Sequence, residues 1–177
     1  QQRQAEQANE LLGQILPVYE QQNYEQALNG DSQRAGLLSI ADEYGGTDAG
    51  NLATFYAATA LYEQGEYDRA LSYYQRFEKG NDFIGASAYA AEASIYESRG
   101  NMQTAAERYE QAAQQYQNKL TAPRYLLEAG KAYEEAGNAS AAEEVYRRIQ
   151  KEYPDSDQAE EVKRYLARVQ ARQESGA

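Results

Sequence analysis

The stretch LYEQGEYDRALSYYQRF, residues 61–77, returns in outline as YESRGNMQTAAERYEQA, residues 96–112, and again as YEEAGNASAAEEVYRRI, residues 133–149. Superposed, the three copies place Gly65, Gly100 and Gly137 at one position, Ala70, Ala105 and Ala142 five residues on, and Tyr74, Tyr109 and Tyr146 four residues further. A helical pattern precedes each glycine (about 50–63, 86–98 and 123–135), and a second follows it (66–79, 102–116 and 139–152). The spacing therefore predicts a helix–turn–helix unit of about 34 residues, three times over. Glycine just past a helix end closes it in the left-handed conformation without a Cβ penalty. Alanine lets the two helix axes approach, and tyrosine one turn later fills the wider gap beside it.

Composition points to helices packed thinly rather than to one thick core. Mean hydropathy is -0.89 over 177 residues, and the 42 % hydrophobic share leans on alanine and 17 tyrosines, with three Phe and no Trp. A net charge of -11 and a pI near 4.6 oppose nucleic-acid binding, which needs a basic stripe, and disfavour an anionic membrane surface. With neither cysteine nor histidine, the chain has no thiolate nucleophile, no disulfide, no Cys-based metal site and none of the commonest general base. The apolar runs fall far short of the roughly 20 residues that cross a bilayer.

Enzyme chemistry finds little to work with. Glu134-Glu135, Glu143-Glu144 and Glu160-Glu161 are neighbours on helices and so diverge by about 100°, unlike a paired acid and base. DSDQAEE, residues 155–161, lacks the glycine and final glutamate of a calcium loop and reads as a helix start. GGTDAGN, residues 45–51, is no phosphate loop and reads as a connection. Asn138-Ala139-Ser140 matches a glycosylation acceptor but sits at a repeat turn and receives no role.

The repeat resembles the tetratricopeptide repeat (TPR) family, with small residues at repeat positions 8, 20 and 27, aromatics at 4, 11, 17 and 24, and often Pro at 32. Numbered from Pro123, the third copy carries Gly130, Tyr133, Ala142, Tyr146 and Pro154. From Asn51 the first carries Ala58, Tyr67, Ala70 and Tyr74, with Leu61 and Phe77 departing from the pattern. From Ala86 the second carries Tyr89, Ala93, Tyr96, Ala105, Tyr109 and Ala112, with Met102 in place of an aromatic. The resemblance implies an all-α, TPR-type solenoid, a right-handed superhelix, with three repeats at 51–85, 86–122 and 123–154. Residues 1–50 form an irregular N-terminal helical repeat, in which Pro17 is expected to kink or divide the first helix and another helix runs from about Gln33 to Tyr44. Residues 155–177 form a capping helix and tail, starting at Asp155 or Ser156.

In that family the first helix of each pair lines a partner-binding groove. The resemblance places Leu52, Phe55, Thr59, Tyr62 and Glu63 there in the first repeat, Ser87, Ala90, Ser94, Glu97 and Ser98 in the second, and Arg124, Leu127, Lys131, Glu134 and Glu135 in the third. Phe55 and Thr59 replace the Lys and Asn of the carboxylate-clamp subgroup, which argues against a co-chaperone of that kind. An aromatic groove suits an extended or helical apolar protein segment, while Phe55, Tyr56 and Tyr62 packing against the N-terminal repeat is the structural alternative.

The N-terminal half, with ALNGD at 27–31 and ADEYGGTDAGNLA at 41–53, is similar to bacterial YfgM-like TPR proteins. That similarity implies a non-enzymatic module without cofactor or metal, held in the periplasm by an N-terminal inner-membrane anchor preceding the Gln-rich start. Its partners would be secretion machinery or unfolded clients, with no nucleic acid. The alternatives are a cytoplasmic location and an assembly scaffold that binds one folded partner or itself, although the negative charge opposes self-association at low salt.

Overall fold

The computed structural model describes residues 2–176; the outermost residues of the first and last segments, 1 and 177, lie outside the described residues. Among the described residues the fold is all-α, ten helices with a single isolated bridge between Gly30 and Ala35. The chain divides into two compact units, residues 1–78 and 79–177.

Unit 1 opens with α1 (Gln2–Glu20), whose Ala8, Leu12, Ile15 and Val18 recur at helical spacing and are buried. The helix is not divided at Pro17. Pro17 lacks the N–H that would bond the carbonyl of Gly13, and both residues lie on the exposed side, where water can take up that carbonyl.

After α2 (Tyr24–Asn29) the expected helix from Gln33 begins only at Leu37, as α3 (Leu37–Tyr44). Asp31 explains the delay. Its carboxylate accepts from the backbone N–H groups of Gln33 and Arg34, at 2.9 and 2.8 Å, and pairs with the Arg34 guanidinium at 2.7 Å. That side chain holds residues 31–34 in a turn that competes with helix. The Arg34 and backbone hydrogen bonds keep the Asp31 carboxyl well below the usual carboxylate range.

The first regular hairpin is α4 (Asp48–Glu63) and α5 (Tyr67–Arg76). α4 starts three residues ahead of the repeat boundary at Asn51, because Thr47 caps it, its hydroxyl accepting from the Gly50 N–H at 3.1 Å. A Cβ on Gly50 would collide with the Tyr44 carbonyl, so the GGTDAGN segment is a tight corner. Asn51 then ties the far end of the hairpin by exchanging two hydrogen bonds with the Glu78 backbone, at 2.8 and 3.0 Å.

Unit 2 contains α6 (Phe83–Ser98), α7 (Met102–Gln115), α8 (Ala122–Glu135), α9 (Ala139–Glu152) and α10 (Asp157–Ser175). Each helix packs on the next, and the buried core runs from Ala93 through Leu126, Tyr146 and Ile149 to Val162 and Val169. Ser156 caps α10 through its hydroxyl, and Asp157 and Glu160 occupy the first turn, as DSDQAEE predicts.

The repeat signature is borne out at its hinge. Gly65, Gly100 and Gly137 adopt φ of 76°, 77° and 78°, and Ala70, Ala105 and Ala142 are fully buried at the crossings. At repeat position 8 the small residue is equally needed: a Cβ on Gly130 would run into the Tyr146 ring.

Candidate functional site

Side chains at the expected groove positions divide between the units. Leu52, Phe55, Thr59, Tyr62 and Glu63 lie on α4 in unit 1. Ser87, Ala90, Ser94, Glu97 and Ser98 lie on α6, and Arg124, Leu127, Lys131, Glu134 and Glu135 on α8, both in unit 2.

On α4 the face is aromatic. The Phe55 ring meets Tyr56, Tyr74 and Phe77 at centroid distances of 5.8, 6.1 and 5.4 Å. Tyr56 in turn packs edge-on against Tyr19 of α1 at 4.9 Å, and Tyr19 against Tyr24 at 5.7 Å. Tyr62 packs on Tyr67 at 5.2 Å. Leu52, Phe55, Tyr56 and Tyr62 nonetheless keep part of their surface open to solvent. Packing on the N-terminal helices and a residual aromatic face are thus both present.

Thr59 sits at the middle of this face. Its hydroxyl donates to the Phe55 carbonyl at 3.0 Å, which leaves the Tyr74 hydroxyl, also at 3.0 Å, as donor to Thr59. Burial is the main cause that raises the Tyr74 hydroxyl far above its ordinary pKa, and it pushes Tyr19 up to about 12. Glu63, one helical turn beyond Thr59 on the same face, is exposed.

In unit 2 the same positions are largely engaged within the fold. Leu127, only 4 % exposed, belongs to the core of unit 2 rather than to a surface groove, and Ala90 packs against that same core. Tyr109 donates to Glu97 at 2.9 Å, and Tyr146 donates to Glu134 at 2.6 Å. Glu134, with its side chain 5 % exposed, also receives Arg168 at 2.5 Å and Arg172 at 3.4 Å from α10. Burial works against that charge, but the hydrogen bonds from Arg168 and Tyr146, with the charges of Arg168 and Arg172, outweigh it and leave the carboxyl below its ordinary 4.5. Glu97 goes the other way: burial, helped by the charges of Glu128 and Glu135, raises it in spite of Tyr109 and Lys131. Lys131 pairs with Glu128 at 3.0 Å, Ser98 bonds the Ile95 carbonyl at 2.7 Å, and Arg124 and Glu135 are exposed.

The acidic neighbours part as their helical geometry requires. Glu143 goes to Arg147, Glu160 to Lys163 and Glu161 to Tyr165. Among the described residues no group of three acids could hold a metal ion, and no helix is long and apolar enough to cross a membrane. Asn138 uses its side chain as the α9 cap, accepting from the Ala141 N–H.

Glu92 of α6 lies outside the groove positions of the repeat. It is 2 % exposed, and its two carboxylate oxygens lie 2.9 Å from Lys79 Nζ and 3.0 Å from Arg108 Nε. Both cations also cover tyrosine rings, Lys79 that of Tyr89 and Arg108 that of Tyr96. A lone charge amid YAAEASIY was the available signal, since a helix face of small residues is a core face.

The tetratricopeptide repeat family matches residues 41–87, 55–120 and 90–157. No curated protein matches the chain.

Proposed function

Since the chain belongs to the tetratricopeptide repeat family, a family of protein–protein interaction modules, we propose that it binds extended or helical apolar protein segments on the α4 face of unit 1. The observation that carries this reading is the half-open aromatic surface of Leu52, Phe55, Tyr56 and Tyr62, which intramolecular packing leaves incompletely covered. Two of the corresponding residues of α8 are committed elsewhere, Leu127 to the core and Glu134 to α10, which favours Leu52, Phe55, Thr59, Tyr62 and Glu63 as the apolar binding surface. The all-helical fold of this family is ordinarily a non-catalytic scaffold. Within the family, the ALNGD and GGTDAGN segments support an anchored periplasmic protein that assists secretion or folding of its clients.

Fluorescence anisotropy with labelled 12-residue peptides rich in Leu and Tyr tests the site. The Phe55→Ala, Tyr62→Ala double variant, checked as helical by circular dichroism, should bind at least about tenfold more weakly, or about 1.4 kcal/mol. Unchanged affinity in the folded variant removes the α4 face from the reading. The scaffold alternative draws on unit 2, where Phe83 and Leu120 are 56 % and 79 % exposed. It gains if the double variant still forms a stoichiometric complex with one folded partner.

A further inference from the structure

α4 ends at Glu63, and its last turn contains no base. A carboxylate there stands at the negative end of the helix macrodipole, an arrangement that favours an incoming cation. The unit around it is acid-rich, with 12 acids and 4 bases in residues 1–78. Three of those bases are committed elsewhere: Arg34 to Asp31, Arg69 to Glu66 and Arg76 to Asp42. Beside Glu63 lie tyrosine rings, whose faces attract ammonium and guanidinium groups. Thr59, one turn before Glu63 on the same face of α4, holds the Tyr74 hydroxyl at 3.0 Å, and the ring of Tyr62, the chain neighbour of Glu63, packs on that of Tyr67 at 5.2 Å.

Unit 2 shows a comparable arrangement already occupied. Near the end of α8, Glu134 receives two arginines from another helix, α10. The Arg168 guanidinium also lies 4.7 Å over the Tyr165 ring, which stacks on Tyr146 at 5.6 Å. Carboxylate, phenol rings and an arginine from a separate segment thus form one packed group within this chain. On α4 the carboxylate stands one repeat position later, and the rings are present.

Resting on the binding reading above, we infer that the Glu63 end of α4 is a subsite for an Arg or Lys side chain of the bound segment. The cation pairs with the Glu63 carboxylate against the tyrosine rings, while flanking apolar residues lie on Phe55 and Leu52. The partner segment is accordingly apolar with a basic residue at one place, and charge complementarity with unit 1 selects it over an acidic one.

Three 12-residue peptides of one apolar sequence, with Arg, Gln or Glu at a single central position, test this against the full chain and its Glu63→Gln variant. Glu63 is exposed, so the substitution leaves the fold intact. The Arg peptide should bind wild type at least about fivefold more tightly than the Gln peptide, with the Glu peptide weakest. That preference should vanish in Glu63→Gln and shrink as salt rises from about 20 to about 300 mM. Equal binding of the Arg and Gln peptides to wild type, or a preference that survives Glu63→Gln, overturns the subsite and leaves the α4 face standing. Binding of none of the three overturns both.

Discussion

In unit 1 the buried Tyr74 hydroxyl closes the helical hairpin on a threonine, at 3.0 Å from Thr59. In unit 2 the tyrosines at the same repeat position, Tyr109 and Tyr146, close theirs on the carboxylates of Glu97 and Glu134. A buried phenol needs an acceptor, and the first helix supplies whichever it has. The choice has consequences beyond the hairpin. A carboxylate calls for a cation, and Glu134 takes Arg168 and Arg172, which cover that end of α8. A threonine calls for none, so the neutral rings of Phe55, Tyr56 and Tyr62 remain as a partly open apolar face. Glu92, with Lys79 and Arg108, extends the ionic character of unit 2 into its interior.

The largest effect that should separate the units is Glu92→Ala. It takes away the buried carboxylate that Lys79, whose side chain is 9 % exposed, shares with Arg108, at a cost of about 3–5 kcal/mol. Hydrogen exchange should show the loss of protection in α6 and α7 and spare α1–α4. Equal loss in both units would break the contrast.

Leucine at the helix crossings probes what the units share. Ala70→Leu in unit 1 and Ala142→Leu in unit 2 each overpack a fully buried site, costing about 1–3 kcal/mol in urea unfolding. A tolerated leucine at one crossing and not the other would show that the hairpins are built differently at their centre as well.

The smallest effect lies in acid. Because the folded Glu134 carboxyl is held below its ordinary value of 4.5, the unfolded chain takes up that proton first as pH falls. Its stabilisation is therefore complete above about 4.5 and is lost as pH drops through the folded value. Glu97, raised instead, gains stability as pH falls through its own value. Thermal midpoints of Glu134→Gln should thus start lower at pH 7, by the equivalent of about 1–2 kcal/mol, and decline less steeply below about pH 4.5 than those of wild type. An acid limb identical to that of wild type would remove the Arg168–Glu134 group as a determinant.

Much of the hairpin was legible because its causes are local. A φ near 77° at Gly100 is set by the backbone of that residue, and the burial of Ala105 follows from helical spacing to the next turn. Leu127 shows where motif position stops being informative: the repeat puts it in the groove, and packing of the adjacent helices buries it. Phe55 and Tyr62 were legible as an aromatic face, but not the neighbours Tyr19, Tyr74 and Phe77 that hold part of that face inside the unit. The late start of α3 depended on the Asp31 side chain finding two backbone N–H groups, a competition that apolar periodicity does not register.

By itself the sequence determined the all-α class, the turn glycines, the small residues at the crossings and the capped final helix, because each depends on residues within about one helical turn of one another. Only the tertiary structure decided which charges are satisfied. Lys79 and Arg108 reach Glu92 from 13 and 16 residues away, and Arg168 reaches Glu134 from 34, distances along the chain that only packed helices close. The energy of a charge is set by what surrounds it in space, so Glu63 and Glu134, alike in sequence as acids near a helix end, become one exposed carboxylate and one buried carboxylate held by solvent-facing arginines.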